Sequence, residues 1–258
     1  MGAIEAVYLT MDLLGDKITA FTVLFIVPVL RLMSDGDIAV RQLAALSFGK
    51  LIQFMPLEAG VSSQNDSELS EKLKRTRDRD RMFLEQLLDS SKCENYRIKV
   101  DVKAELRDYQ IDGVNWLMFL NRFGLHGILS DEMGLGKTLQ TIIVVASDHY
   151  ERENNNLPEL PTLIVSPPSV TGHWVEEMLK FCPTALRALH YTGNNSERRK
   201  LQNIFTNKSN NYNVLVSSYE VIRNDSQFFH VRNLLDYIRL KIDFSTNNGT
   251  TVCWMKAT

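Results

Sequence analysis

A parallel β-sheet with helices on both faces, preceded by an α-helical region, is predicted by three observations. From Gly127 onward, short apolar runs alternate with helical stretches. A glycine-rich loop joins the first of these runs to the helix that follows it. In the first fifty-odd positions apolar residues recur at helical spacing instead. Strands that alternate with helices form parallel sheets covered on both sides, so the class is α/β with a helical region in front.

The elements follow in order. Lys17 to Met33 reads as a helix that is apolar almost all round and therefore buried against neighbours. Ser34-Asp35-Gly36-Asp37 is a turn cluster with an N-cap candidate at its end. A second helix follows, with Ile38, Ala45, Leu46, Leu51 and Ile52 on its apolar face. Val61 to Ser70 is a polar linker, and Glu68 to Leu88 a charged helix carrying Lys72, Lys74, Arg75, Arg77, Arg79 and Arg81. Acidic residues interleave with these, so the helix reads first as a solvated face and second as a DNA-facing one. The strand candidates are Gly127-Ile128-Leu129, Leu163-Ile164-Val165 and Val214-Leu215-Val216. Between them lie a helix from Lys137 to Tyr150, with Leu139, Ile142, Ile143 and Ala146 at helical spacing, and one from Gly172 to Phe181. Toward the end, Val231, Leu234, Leu235, Ile238 and Ile242 suggest an amphipathic helix, and Ser245 to Thr258 carries no recognisable pattern.

Composition narrows the class without naming an activity. The 258 residues are 44% hydrophobic and 23% charged, as expected of ordinary soluble protein, with a net charge of −2 that does not announce a nucleic-acid binder. Any DNA contact must come from a local surface. Cys93, Cys182 and Cys253 are far apart, which argues against a disulfide framework or a zinc site and fits a reducing compartment. No basic segment precedes the first apolar run, so a signal peptide is not expected. Ile18 to Leu30 falls short of the roughly 20 apolar residues of a membrane span and is interrupted by Pro28.

The sharpest motif is Asp131-Glu132-Met133-Gly134-Leu135-Gly136-Lys137-Thr138, which follows a strand and opens a helix, the setting that a phosphate-binding loop requires. Gly134 and Gly136 let backbone N–H groups turn toward phosphate oxygens, and the helix N-terminus adds partial positive charge. Lys137 is placed to reach the β- and γ-phosphates of a nucleotide and the Thr138 hydroxyl to ligate Mg²⁺. Asp131 stands where the general pattern has its first glycine. Upstream, in Leu106-Arg107-x-Tyr109-Gln110-x-x-Gly113-Val114-x-Trp116-Leu117, the Gln110 amide can both donate to and accept from an adenine edge.

With these motifs in view, Leu106 to Asp225 resembles the first ATPase lobe of the SWI/SNF-like remodelling motors of helicase superfamily two, closest to the branch that removes TATA-binding protein from promoters. The matching stretches are His126-Gly127-Ile128-Leu129, the loop above, Pro167-Pro168-Ser169-Val170-Thr171-Gly172-His173-Trp174, Phe181-Cys182, Leu189-His190-Tyr191-Thr192-Gly193 and Ser217 to Asp225. Pro28, Asp37, Val40-Arg41 and Ala44-Ala45 resemble a HEAT repeat, with an unrelated helical hairpin as the alternative. The resemblance implies a RecA-like lobe, ATP and Mg²⁺ as ligands, and Lys137 as the catalytic residue. It also implies Gln110 in the adenine-binding motif, double-stranded DNA and TATA-binding protein as partners, and a nuclear location. By position, Ser166, Pro167 and Pro168, and again Ser217, Ser218 and Tyr219, correspond to segments that contact DNA phosphates. Hydroxyls and N–H groups at strand ends suit that task. Core packing is the expectation for the Trp174 and Tyr219 rings, ahead of base stacking, and a structural or surface role for the five histidines.

The expected organisation is a HEAT-like region over 1–60, a charged helical linker over 61–103, the ATPase lobe over 104–229 and a divergent tail over 230–258. Family members carry a strand ending in Asp-Glu-Gly-His after the Val214 strand, and no Asp-Glu pair occurs here after residue 229. The sequence therefore reads as a truncated or alternatively ended product. On this reading the resemblance stops near Phe229, the sheet is expected to lack a central strand and to associate, and ATP turnover is expected to be near background. Three functions follow: an ATP-dependent DNA motor, a non-catalytic interaction module with nucleotide as ligand, and a different P-loop enzyme. The last is disfavoured by the Gln110 segment and by the absence of Asn-Lys-x-Asp.

Overall fold

The computed structural model describes residues 2–33, 35–54, 70–89, 92, 95–123, 125, 127–132, 134–158, 160–207, 211–231, 240–245 and 251–256. The chain divides into two compact units, Met1–Cys93 and Glu94–Thr258.

The first unit is helical. It contains α1 (Gly2–Leu14), a 3₁₀ turn (Gly15–Phe21), α2 (Thr22–Leu32), α3 (Ile38–Leu51), a second 3₁₀ turn (Ile52–Phe54) and α4 (Glu71–Leu88). The single helix expected over Lys17–Met33 is thus divided. Gly15, with φ +50°, follows α1, and the Ile18-Thr19 pair is β-branched and winds poorly into an α-helix. The Thr22 hydroxyl donates to the Ile18 carbonyl at 3.1 Å across the junction. Asp37 caps α3 as expected, its carboxylate accepting from the Ala39 N–H at 2.9 Å. Arg41 closes the same turn by donating to the carbonyls of Asp35 and Gly36. Ser70 caps α4, which packs on α2, and α2 packs on α3. Ile18, Ile26, Val29, Ala44, Leu51 and Phe83 are buried in this unit. Lys74, Arg77, Arg79 and Arg81 each pair with an acidic residue of α4 itself, which fits the solvated-face reading of this helix. The predicted linker from Val61 lies outside the described residues up to Ser70.

The second unit is the α/β part. Its helices are α5 (Asp108–Phe123), α6 (Lys137–Asn154), α7 (Thr171–Phe181), α8 (Asn195–Thr206), α9 (Tyr219–Asn224) and α10 (Ser226–Val231). Its strands are β1 (Ile128–Leu129), β2 (Thr162–Val165), β3 (Ala188–His190), β4 (Val214–Ser217), β5 (Leu240–Ser245) and β6 (Thr251–Lys256). They form one sheet in the order β1-β6-β5-β2-β4-β3. β2 runs parallel to β4 and to β5, and β3 parallel to β4, while β6 is antiparallel to both β5 and β1.

Strand alternation supplies both faces. Ile164, Val214 and Val216 point into one apolar cluster with Val114, Leu117, Ile142, Ile143, Trp174 and Met178 of α5, α6 and α7. Leu163, Val165 and Leu215 point to the other, with Tyr191, Phe229 and partly buried side chains of α8 and α9. Helices on both sides of a parallel core are the predicted architecture.

The tail departs from the expectation. The amphipathic helix foreseen around Val231–Ile242 gives way at its end to β5, and its middle lies outside the described residues. The patternless stretch after Ser245 contains β6. The sheet therefore does not lack a central strand, since β5 lies between β2 and β6, and the premise for association through an exposed edge there falls away. The physical reason is period: Leu240, Ile242 and Phe244 alternate with Lys241 and Asp243, a spacing of two that suits a strand.

Two measurements test this architecture. Amide hydrogen exchange over 240–245 is expected to be as slow as over 162–165, because both strands share one ladder; fast exchange in the first segment alone would restore a sheet without β5. Ile143→Ala, which empties a fully buried site in the larger cluster, is expected to cost about 2–5 kcal/mol in urea unfolding.

Candidate functional site

The loop from Asp131 to Gly136 leaves β1 and enters α6. Gly134 and Gly136 have φ of +86° and +76°, left-handed backbone that only glycine adopts without strain. At Gly136 a side chain would also collide, since an added Cβ would lie 2.3 Å from Nε2 of Gln110. Glycine there thus serves both the turn and the close approach of α5.

Lys137 opens α6 and is buried. Its ammonium donates to the carbonyls of Asp131 and Glu132, both at 2.6 Å, and among the described residues no carboxylate pairs with it. A cation held only by neutral carbonyls keeps most of its charge available to an anion. Thr138 follows in the first turn and is partly buried, and Met133 lies outside the described residues.

Two glutamines converge on the loop. Gln110, from α5, donates through Nε2 to the Leu135 carbonyl at 3.1 Å, and its Oε1 accepts from the Arg107 N–H at 3.1 Å. Both halves of the proposed adenine-reading amide are therefore engaged within the protein. Gln140, from α6, was not singled out in the sequence. Its Nε2 lies 3.4 Å from a carboxylate oxygen of Asp131 and 3.5 Å from the Leu135 carbonyl. Its local sequence carries no signal, because α6 also buries the polar side chains of Lys137, Thr141, Ser147 and Asp148.

The other predicted segments end neighbouring strands. Ser166 follows β2, Ser217 closes β4, and the Ser166 N–H donates to the Ser217 carbonyl at 3.0 Å. Because β1, β2 and β4 run in one direction, the loop and both segments leave the sheet at the same carboxyl edge, where open α/β sheets hold ligands. Pro168 accepts from the Thr171 hydroxyl at 3.1 Å. Ser217 is fully buried and donates to the Tyr191 carbonyl, so its hydroxyl faces inward. Ser218 caps α9 by accepting from the Val221 N–H. Trp174 is buried as expected. Tyr219 is not: it is 66% exposed, which overturns core packing for that ring.

Behind this edge stands a polar cluster that the sequence did not disclose. Arg198 of α8 holds Asp225, at the α9–α10 junction, through two nitrogens at 2.7 and 3.0 Å, and donates to the Gly193 carbonyl at 2.7 Å. The Tyr191 hydroxyl donates to the same carboxylate and accepts from Gln202 at 2.7 Å. The Arg198 guanidinium holds the Asp225 carboxyl below the usual carboxylate range, while burial pushes the Tyr191 phenol up. Burial likewise raises the Cys182 thiol to about 11, leaving it inert packing. Among the described residues no group of His, Cys, Asp and Glu could hold a metal ion, and no helix is long and apolar enough to cross a membrane.

A family model described as the SNF2-related domain matches residues 109–249. The chain belongs to this family. The match runs past Phe229, where the motif reading stopped, and takes in β5. Human TATA-binding protein-associated factor 172 is 48% identical over 259 residues, 97% of this chain and 14% of that protein. TATA-binding protein-associated factor MOT1 of Saccharomyces cerevisiae is 40% identical over 87% of the chain and 12% of its own length. The chain thus spans a small part of these relatives. The SWI2/SNF2 ATPase core of Sulfolobus solfataricus in complex with double-stranded DNA is 36% identical, with a TM-score of 0.41, covering 52% of this chain and 25% of that one.

The Arg198–Asp225 pair in this SNF2-related lobe yields a pH prediction. A carboxylate whose folded pKa is depressed contributes stability that is fully present above its unfolded pKa of about 3.9 and is lost as pH falls through the folded value. Arg198→Ala is expected to lower stability at pH 7 by about 2 kcal/mol, because it removes two charge-assisted hydrogen bonds and leaves the carboxylate with the Tyr191 hydroxyl. Asp225→Asn is expected to flatten the acid limb of the unfolding profile. An acid limb equal to wild type would remove this pair from the stability account.

Proposed function

We propose that this chain forms the ATP-binding lobe of an ATP-dependent DNA translocase that remodels protein–DNA complexes, with removal of TATA-binding protein from DNA as the role its relatives' names suggest. The observation that carries the reading is Lys137: a buried ammonium, unpaired by any described carboxylate, at the N-terminus of a long helix behind two left-handed glycines. Such a group suits phosphate oxygens and few other ligands. When bound, ATP supplies the phosphoanhydride and Mg²⁺ neutralises its charge. Lys137 would exchange its carbonyls for phosphate oxygens, Thr138 would hold the metal through its hydroxyl, and the amides around Gly134, Leu135 and Gly136 would line the phosphates. Gln110 reads adenine after releasing Leu135. Duplex DNA runs along the carboxyl edge past Ser166, Pro167, Pro168, Ser218 and the exposed Tyr219 ring. Ser217, turned inward, supports that edge from behind. The α2–α3 hairpin, with its Asp37 cap and its Arg41 clasp on the turn, acts as a HEAT-type element for protein contacts, and the natural location is the nucleus.

A second reading has one observation in its favour. Family members carry an Asp-Glu pair in the strand that follows the Val214 strand, and here the strand that follows it, β5, has a single acidic residue, Asp243, in register with Val165. With a single carboxylate, positioning of metal and attacking water is incomplete, so the lobe acts as a nucleotide-liganded interaction module.

Titration with MgATP and a turnover assay, with and without duplex DNA, separate these readings. Binding is expected for the wild-type chain and a loss of at least tenfold in affinity for Lys137→Ala, with turnover near background in both. DNA-stimulated turnover that Lys137→Ala abolishes would establish this polypeptide as a working motor by itself. Equal binding by the wild type and Lys137→Ala would remove the phosphate-binding assignment.

A further inference from the structure

Gln140 is fully buried, yet its Oε1 is one of the few buried side-chain acceptors that meet no donor among the described residues. Buried polar atoms are nearly always satisfied, so an orphan next to a candidate site calls for a reason. Rotating the amide offers no relief. Its Nε2 side faces the Asp131 carboxylate and the Leu135 carbonyl, both acceptors, and an oxygen turned toward them would be repelled. The orphan Oε1 is pressed against α5, where a Cβ on Gly113 would lie only 1.9 Å away. Glycine at 113 is thus what lets the amide sit where it does, and the loop contact is kept at the expense of the unmet acceptor.

Gln110 supplies the second half. It holds the Leu135 carbonyl at 3.1 Å, while Gln140 waits on the same oxygen at 3.5 Å. The two side chains reach it from different helices, α5 and α6. If Gln110 turns to a ligand, Leu135 is left facing Gln140, whose donor already points at it.

Resting on the nucleotide-binding reading above, we infer that Gln140 is a positioning residue for the phosphate-binding loop: it fixes Asp131 and takes over the Leu135 carbonyl when Gln110 leaves it for the base. Gln140 touches no phosphate in this arrangement. It keeps the loop open while the Gln110 amide changes partners, so that base reading does not cost loop geometry.

The test exploits the orphan. Gln140→Met keeps the length and removes both polar ends. A residue needed only for packing would lose stability and ATP affinity together. A positioning residue carrying an unmet acceptor behaves differently: the nucleotide-free melting temperature stays level or rises, while the MgATP dissociation constant rises about tenfold, the loss of one hydrogen bond to a charged group. Gly113→Ala approaches the same contact from the other helix. It keeps the amide but pushes it off its seat, so a comparable loss of affinity is expected, and the Gly113→Ala/Gln140→Met double variant should be no worse than either single one. This second variant carries the test should the methionine chain fail to fold. ATP affinity within twofold of wild type in both single variants would overturn the inference, as would affinity loss in step with a falling nucleotide-free melting temperature. Lys137→Ala runs beside them. If the wild type itself binds no MgATP, the nucleotide reading fails and takes this one with it; if the wild type binds and both variants match it, only the role of Gln140 fails.

Discussion

The parallel ladder between β2 and β4 is the constraint on which the α/β unit depends. Four residue pairs, from Thr162 with Val214 to Val165 with Ser217, set the register, and the Ser166 N–H bonded to the Ser217 carbonyl carries it one step past the strands. Parallel pairing forces the chain to cross back through helices, and it brings the carboxyl ends of β2, β3 and β4 to one edge. That is why segments fifty residues apart in sequence, Ser166–Pro168 and Ser217–Tyr219, become neighbours. A one-residue slip would exchange the faces, turning Leu163 and Val165 toward α6 and Ile164 toward Tyr191. Register, core and site are therefore one specification.

The Tyr191 network secures the outer end of the same edge. Its main chain extends β3 beside β4, with the Tyr191 N–H donating to the Val216 carbonyl at 2.8 Å, and its carbonyl receives the Ser217 hydroxyl. Its phenol meets Asp225, which Arg198 holds from α8. One residue thus ties the strand that ends in Ser217 to the short helix that begins with Tyr219. The exposed Tyr219 ring is presented from a rigid base, since α9 is capped by Ser218 at one end and anchored by Asp225 at the other.

What could be read from the sequence follows the range of the interaction. The turn between β1 and α6 was legible because its geometry is local: two glycines, a lysine and a helix start lie within eight positions, and left-handed backbone favours glycine whatever the fold. The apolar runs that became β2 and β4 were legible for the same reason. Gln140 was not, because its partners are defined by how α5 docks on α6, and a glutamine in a helix gives no sign of being fully enclosed. Arg198 and Asp225 lie twenty-seven residues apart, and only the packing of α8 beside α9 makes them a pair. Tyr219 was misjudged because aromatic content suggests a core, whereas position N1 of a short surface helix decides its exposure. The tail misled through coincident periods. Val231, Leu234, Leu235 and Ile238 satisfy helical spacing up to the point where Leu240, Ile242 and Phe244 satisfy a strand's.

The tail also separates two things that a motif reading joins. What admits a strand to the middle of this sheet is alternation and backbone pairing, and Leu240–Ser245 meets both requirements against β2. What equips that strand for chemistry is the identity of one or two residues at its carboxyl end. These demands are independent: the first is spread over many weak contacts and tolerates almost any apolar series, while the second admits no substitute. The absence of an acidic pair therefore does not imply the absence of the strand. The lobe closes its sheet and seats Lys137 without an Asp-Glu pair in β5. Loss of turnover in such a lobe therefore need not carry a loss of fold, because the fold draws on the ladder and the packed helices rather than on the end of β5.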